Sequence, residues 1–116
     1  MKLFVYGTLC AGQPAHHLLR GARLVAQART EPRYRLVDMG GYPALVPGGT
    51  IAVRGEIYEV DERLLPELDA YEDVPELYQR VTLQVGGMEA FVYLLPERFA
   101  AGRRELPTGD WRDYAG

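Results

Sequence analysis

The chain has 116 residues, of which 47% are hydrophobic and 25% are charged, so we expect one domain with its own core over residues 1–116. The net charge of −3 and the lack of any run of lysine or arginine argue against nucleic-acid binding. The single cysteine, Cys10, excludes an internal disulfide and a zinc cluster, and no apolar run reaches membrane-spanning length, so we expect a cytoplasmic protein that does not bind membranes.

The first predicted element is a strand, because residues 3–6 form a continuous apolar run typical of a central strand covered on both faces. The run passes directly into Gly7-Thr8-Leu9, without the Asn-Gly or Asp-Gly of a common hairpin turn. A chain that turns sharply after a buried strand can direct successive N–H groups into one concavity that binds an anion, and Gly7 would let a ligand approach the backbone. An ordinary strand end explains the same pattern.

A short helix, further strands and a turn are predicted next. Pro14 suits the first position of a helix, because its missing N–H has no partner there. The mixed pattern of residues 24–37 predicts one or two strands, which end at the turn formed by residues 40–43. Residues 51–60 are predicted as a strand, in which Gly55 indicates a bulge or a close approach of two backbones.

The one convincing helix is predicted from Asp61 to about Tyr71. Asp61 is a suitable N-cap, and leucines recur at helical spacing up to Leu68, with Tyr71 continuing the apolar face. Pro66 lies beyond the first turn, which implies that the helix begins later or has an irregular start.

The clearest strand pair is a hairpin around Gly86-Gly87, since these glycines can adopt the positive φ of a two-residue turn. This turn places Leu83 opposite Ala90 on one face and Arg80 opposite Tyr93 on the other. Many short strands with two short helices predict an α+β fold around a small, mixed, mostly antiparallel and curled sheet.

Glu72 is a candidate general base. It lies four residues after Leu68, so helical geometry places it over the apolar stripe, whereas Asp69 and Asp73 lie further round toward solvent. Burial would raise the pKa of the Glu72 carboxyl toward neutrality, as a general base requires. From spacing alone, a frayed helix end with an exposed Glu72 before Pro75 is the favoured interpretation.

The other reactive side chains form weaker patterns. Cys10 with His16 or His17 would supply a thiol and a base, but no third group orients them, and a lone cysteine near an apolar strand is typical of a packed core residue. Adjacent histidines without further ligands make a poor metal site, and no glycine-rich phosphate loop with lysine is present. We therefore expect no metal and no cofactor.

Five motifs occur together in an order shared by one protein family. They are Val5-Tyr6-Gly7-Thr8-Leu9, Gly41-Tyr42-Pro43-Ala44-Leu45, Arg54-Gly55-Glu56-Ile57-Tyr58-Glu59-Val60, Leu68-Asp69-Ala70-Tyr71-Glu72 and Tyr78-Gln79-Arg80. Through these motifs, which span most of the chain, the sequence resembles the γ-glutamylcyclotransferase-like proteins. It is most similar to the compact subgroup that includes γ-glutamylamine cyclotransferase.

The resemblance implies a partly closed β-barrel with short flanking helices and a cavity between the first loop and the acidic helix. It further implies that the cavity holds a γ-glutamyl or 5-oxoproline group, largely through main-chain groups, and that Glu72 is the catalytic residue, which reverses the preference from spacing. Cys10 departs from the family, in which Lys or Arg is frequent there, and would alter the cavity rim. Tyr78 is a candidate for substrate binding or a core aromatic. The residues implied to bind substrate are Tyr6, Gly7, Thr8, Leu9 and Tyr78.

The activity implied is a cofactor-free release of 5-oxoproline from a small-molecule γ-glutamyl amide or amine. The substrate's α-amine attacks its own γ-carbonyl, so the reaction needs no nucleophile from the protein, and Glu72 would move the proton. Two alternatives stay open: a non-catalytic binding module that uses the same cavity, and a Cys10-dependent hydrolase. No feature of the sequence specifies an oligomeric state.

Overall fold

The computed structural model describes residues 1–115, which form eight strands, one α-helix and four short 3-10 turns. The strands are β1 (Lys2–Val5), β2 (Arg23–Arg29), β3 (Tyr34–Asp38), β4 (Pro43–Pro47), β5 (Arg54–Glu59), β6 (Gln79–Val85), β7 (Met88–Leu94) and β8 (Arg104–Glu105). Helix α1 covers Leu65–Tyr71, and the 3-10 turns are His16–Leu19, Glu62–Leu64, Glu97–Phe99 and Trp111–Asp113. The predicted α+β class with curled sheets is confirmed.

The strands form two sheets that meet around the core. A five-stranded sheet has the order β2-β5-β1-β7-β6, in which β1 and β7 are parallel and the other neighbours are antiparallel. A three-stranded antiparallel sheet has the order β4-β3-β8. The amide of Leu95, just after β7, donates to the carbonyl of Leu45 on β4 at 2.9 Å. This bond connects the two sheets and partly closes the curl.

Strand β1 lies at the centre of the larger sheet, as its apolar run predicts. Leu3 and Val5 enter one core cluster, whereas Phe4 enters a second cluster on the opposite face. Alternate side chains of a strand point to opposite faces, so a strand covered on both sides must be apolar at every position. All three side chains are at most 3% exposed.

Helix α1 has the irregular start that Pro66 implies. The Asp61 carboxylate accepts a hydrogen bond from the Arg63 amide at 2.9 Å, but it caps the 3-10 turn Glu62–Leu64, and α1 begins only at Leu65. Leu68 is fully buried. The prediction for Tyr71 is wrong, because this last residue of the helix lies beyond the part that packs on the core and is 46% exposed.

The hairpin register is confirmed, with Leu83 opposite Ala90 and Arg80 opposite Tyr93. Two other elements have bounds that differ from the predicted ones. The strand expected from residue 51 begins at Arg54, because Ile51 forms only an isolated bridge to β3. The short helix expected from Pro14 is a 3-10 turn over His16–Leu19. No helix within residues 1–115 is both long and apolar enough to cross a membrane.

Gly55, on β5, packs directly against the end of β1. A Cβ at this position would clash with the Val5 carbonyl oxygen and would lie 2.7 Å from the Phe4 ring. The register of β1 with β5 is regular, and the irregularity of this sheet lies in β2, between Leu24 and Ala26. Of the two interpretations of Gly55, close backbone approach is therefore the observed one.

We expect Gly55→Ala to lower the free energy of unfolding by about 3 kcal/mol, because the added methyl group must displace the backbone of β1. Urea unfolding followed by circular dichroism measures this change. Gly87→Ala is the control, since its Cβ would meet no atom within 4 Å and only the φ of 73° opposes it. We expect the control substitution to lower the free energy of unfolding by about 1 kcal/mol. An equal or smaller loss in Gly55→Ala would contradict the described packing of β1 on β5.

Candidate active site

A cavity of about 310 Å³ lies between the loop that follows β1 and the C-terminal end of α1. Six residues that line it are those predicted from the sequence and the resemblance: Tyr6, Gly7, Thr8, Leu9, Glu72 and Tyr78. The fold thus brings together segments that are far apart in the chain. The roles of these residues in binding and catalysis stay predictions.

The loop of residues 6–12, termed the opening loop, is held in a compact shape by its backbone. Its amides at Cys10 and Ala11 donate to the Gly7 carbonyl at 3.0 Å and to Glu56 Oε1 at 2.9 Å. By contrast, the amides of residues 7–9 donate to no acceptor within residues 1–115. Residues 7–9 line the cavity, so their unpaired amides are candidate donors to an anionic or carbonyl oxygen.

Gly7 is required for a reason other than the one the sequence indicates. A Cβ at Gly7 would lie 2.5 Å from Cγ and 2.7 Å from Cδ of Pro43, the buried first residue of β4. The absent side chain therefore lets the opening loop pack against the Pro43 ring. The expected close approach of a ligand to this backbone stays a prediction.

Glu72 is the C-cap of α1, and its amide still donates to the Leu68 carbonyl at 3.0 Å. Its side chain is half-buried and lines the cavity, so the frayed and exposed helix end favoured by spacing alone is not observed. No donor within residues 1–115 hydrogen-bonds its carboxylate. Burial raises the pKa of the Glu72 carboxyl from 4.5 to about 7. A carboxyl that titrates there can both accept and return a proton at neutral pH.

The phenols of Tyr6 and Tyr78 are engaged in structural hydrogen bonds. The Tyr6 hydroxyl donates to the Tyr93 carbonyl at 2.7 Å and accepts from the Leu45 amide at 3.0 Å. The Tyr78 hydroxyl donates to the Pro43 carbonyl at 3.1 Å, and Tyr78 is both a core aromatic and a cavity residue. Burial raises the pKa of both phenols far above its usual range, so both stay neutral and shape the wall.

Eight further residues of the lining were not predicted as site residues: Phe4, Val5, Tyr42, Pro43, Tyr71, Asp73, Leu77 and Tyr93. The Tyr71 hydroxyl and Thr8 Oγ1 are 2.9 Å apart, so this pair joins the helix to the opening loop across the cavity. The predicted hairpin register could have pointed to Tyr93, because it places this side chain on the other face of the sheet from Ala90 and Leu83. The orientation predicted for Asp69 is wrong, because its carboxylate accepts a hydrogen bond from the Tyr93 hydroxyl instead of facing solvent.

The charged side chains that line the cavity are all acidic. Its lining within residues 1–115 contains two carboxylates, Glu72 and Asp73, and no lysine, arginine or histidine. An anionic group of a ligand would therefore depend on backbone N–H donors rather than on a basic side chain. Within the same part of the chain, no three histidine, cysteine or acidic side chains are grouped closely enough to hold a metal ion.

Cys10 does not form the thiol–histidine arrangement considered from the sequence. Its thiol is buried and donates to the Val5 carbonyl at 3.5 Å, and neither His16 nor His17 hydrogen-bonds it. Burial, followed by the negative charge of Glu56, raises the pKa of the Cys10 thiol to about 12. The thiol is not part of the lining of the main cavity, and the expected effect of Cys10 on the cavity rim stays a prediction.

Comparisons with known proteins give one consistent family. The profile of the family described as gamma-glutamyl cyclotransferase, AIG2-like, matches residues 3–113. The human gamma-glutamylaminecyclotransferase is 46% identical over 115 residues, which cover 91% of this chain and 70% of the human protein. The gamma-glutamylcyclotransferase family protein YtfP of Escherichia coli strain K12 is 36% identical over 114 residues, which cover 97% of each chain.

The fold is similar as well. The crystal structure of an AIG2-like protein from Mus musculus superimposes with a TM-score of 0.73 at 40% identity. The match covers 80% of this chain and 75% of the mouse chain.

The burial of Glu72 predicts a pH dependence of stability. Since the pKa is about 7 in the folded state and 4.5 ordinarily, the folded state binds more protons between these values. The free energy of unfolding therefore falls as the pH rises through this window, by up to about 3 kcal/mol. Glu72→Gln should remove this fall, whereas Glu76→Gln, at an exposed position, should keep it. Urea unfolding at pH 4.5–8 measures it, and parallel curves for wild type and Glu72→Gln would contradict the raised pKa.

Proposed function

Because the chain belongs to the gamma-glutamyl cyclotransferase, AIG2-like family, we propose that it releases 5-oxoproline from a γ-glutamyl amide or amine. The observation that carries this proposal is the meeting, at one cavity, of the half-buried Glu72 carboxyl with the free amides of residues 7–9. The substrate is a small molecule, which suits a cavity of about 310 Å³. The names of the human and Escherichia coli relatives support this class of reaction.

The proposed reaction takes its nucleophile from the substrate. The α-amine attacks the γ-carbonyl carbon and forms the new C–N bond of a five-membered ring. The bond between that carbon and the leaving nitrogen then breaks, and the products are 5-oxoproline and a free amine. The cavity contributes by holding the substrate in its folded conformation, and such positioning supplies up to roughly 7–11 kcal/mol.

Glu72 is the proposed proton carrier. An α-ammonium group has a pKa of about 8, so at pH 7 most of the substrate carries the proton that must leave before attack. The Glu72 carboxylate, with its pKa raised to about 7, is matched to accept that proton. The same carboxyl then returns this proton to the departing nitrogen. The attacking nitrogen must lose a second proton to become the N–H of the ring, and Glu72 accepts that proton as well. Release of the second proton to the amine product or to solvent leaves Glu72 ionised at the end of the cycle.

The opening loop is proposed to bind the charged oxygens of the substrate. The free amides of residues 7–9 would donate to the substrate carboxylate or to the oxyanion that forms at the γ-carbon. No basic side chain of the described lining competes for this role. The buried phenols of Tyr6 and Tyr78 would form the wall against which the γ-glutamyl chain folds.

We expect Glu72→Gln to reduce 5-oxoproline formation by at least about 100-fold, because the amide keeps the shape of the side chain but accepts no proton. The measurement is chromatographic detection of 5-oxoproline with a panel of γ-glutamyl amines and γ-glutamyl peptides. Glu76→Gln, outside the cavity, should keep wild-type activity.

Two results would contradict the proposed reaction. Undiminished turnover by Glu72→Gln would remove Glu72 from the mechanism. Binding of γ-glutamyl compounds by the wild-type protein without turnover anywhere in the panel would instead support a binding module.

We expect Cys10→Ser to keep its turnover number within about twofold of wild type, because the thiol is buried outside the cavity and its raised pKa keeps it protonated. Steady-state kinetics on the best substrate of the panel measure this. Loss of activity in Cys10→Ser, together with an active Glu72→Gln, would favour the hydrolase over the cyclotransferase.

A further inference from the structure

Asp69, on α1, lies one helical turn before Glu72 and is tied to the neighbouring sheet. The Tyr93 hydroxyl, on β7, donates to Asp69 Oδ1 at 2.7 Å. Arg80 Nε, on β6, lies 3.3 Å from the same oxygen. The Asp69 and Arg80 side chains are 24% and 28% exposed, so this ion pair is partly shielded from solvent. We call these three residues the Asp69 clamp.

The sheet side of the clamp is itself fixed. The Arg80 guanidinium lies 5.5 Å from the centre of the Phe91 ring, a distance suited to a cation–π contact. The backbone carbonyl of Tyr93 accepts the Tyr6 hydroxyl at 2.7 Å, and Tyr93 lines the cavity. Tyr93 therefore connects the end of β1, the cavity wall and α1.

Helix α1 needs such a connection. It has seven residues, and Leu68 is its one fully buried side chain. An isolated helix of this length is unstable in water, so contacts with the rest of the protein must hold it. Positions three apart on a helix are neighbours, so a constraint on Asp69 acts directly on the backbone that carries Glu72.

We propose that the Asp69 clamp positions Glu72 at the cavity, so that Asp69, Tyr93 and Arg80 are positioning residues for the reaction; this inference rests on the proposed role of Glu72. None of the three is assigned a chemical step. Their effect is to keep the end of α1 against β7, where the Glu72 carboxyl stays shielded from water and within reach of the substrate amine.

A direct effect of the Asp69 charge on Glu72 is the competing explanation. The other titratable groups of the described cavity lining are Asp73 and the phenols of Tyr6, Tyr42, Tyr71, Tyr78 and Tyr93. Asp69→Asn changes a charge near Glu72, but Tyr93→Phe removes only a hydroxyl and leaves every charge in place. The two variants together separate positioning from electrostatics.

The experiment measures kcat, KM and the NMR titration of the Glu72 carboxyl in wild type, Tyr93→Phe and Asp69→Asn. We expect both variants to lose about 10- to 100-fold in kcat with little change in KM, because the opening loop is intact. We also expect the titration midpoint of Glu72 to move down by at least about one unit from its wild-type value near 7, since water reaches a released carboxyl. Glu105→Gln is the matched control, because it removes the ion pair with Arg35 on the smaller sheet and should change neither quantity.

Three results would overturn the inference. The first is a Tyr93→Phe variant with the wild-type kcat and the wild-type Glu72 midpoint, and the second is a shift of the Glu72 midpoint in Asp69→Asn but not in Tyr93→Phe. The third is a lower thermal stability of both variants without any shift of the Glu72 midpoint. If Asp69→Asn does not fold, the nearly isosteric Tyr93→Phe decides alone. A wild-type protein that forms no 5-oxoproline would refute the proposed function, whereas the NMR midpoint would still decide whether the clamp positions Glu72.

Discussion

The burial of β1 on both faces is the constraint on which the site depends. Because Leu3 and Val5 enter one core and Phe4 enters the other, the strand has one register between β5 and β7. The chain must therefore leave the sheet at one place, directly after Val5, and the opening loop begins there. The lack of a side chain at Gly55 allows β5 to approach, so the same contact that fixes β1 also fixes the origin of the loop.

The buried phenol of Tyr6 ties the cavity wall to both sheets. Through its two hydrogen bonds, the Tyr6 hydroxyl joins the end of β1 to the Tyr93 carbonyl of β7 and to the Leu45 amide of β4. These bonds connect the two sheets at the depth of the cavity, where an unpaired backbone group would be costly. The contact of Gly7 with Pro43 continues this connection one residue further along the opening loop.

The parts of the structure that depend on neighbours in sequence could be predicted. The apolar run of β1, the turn at Gly86-Gly87 with its register, and the irregular start caused by Pro66 all follow from local rules. The side chains of Asp69 and Tyr71 were misplaced, because their orientations depend on contacts with Tyr93 and Thr8, which the local pattern does not show. The resemblance identified the segments of the site, whereas the reason for glycine at position 7 required the position of Pro43.

Three carboxylates near the site differ in their hydrogen-bond and ion-pair partners. This difference distinguishes the structural carboxylates from the one suited to proton transfer. Glu56 is buried behind the opening loop, where Oε1 accepts the Ala11 amide and the Tyr58 hydroxyl. Asp69 accepts the Tyr93 hydroxyl and pairs with Arg80. Glu72 has neither a donor nor a cation among residues 1–115, and its pKa is raised to about 7 by burial. Partners stabilise the charge of a carboxylate, so Glu56 and Asp69 are suited to hold the two walls of the cavity. Glu72, which lacks such partners, is the carboxyl suited to exchange a proton with a substrate.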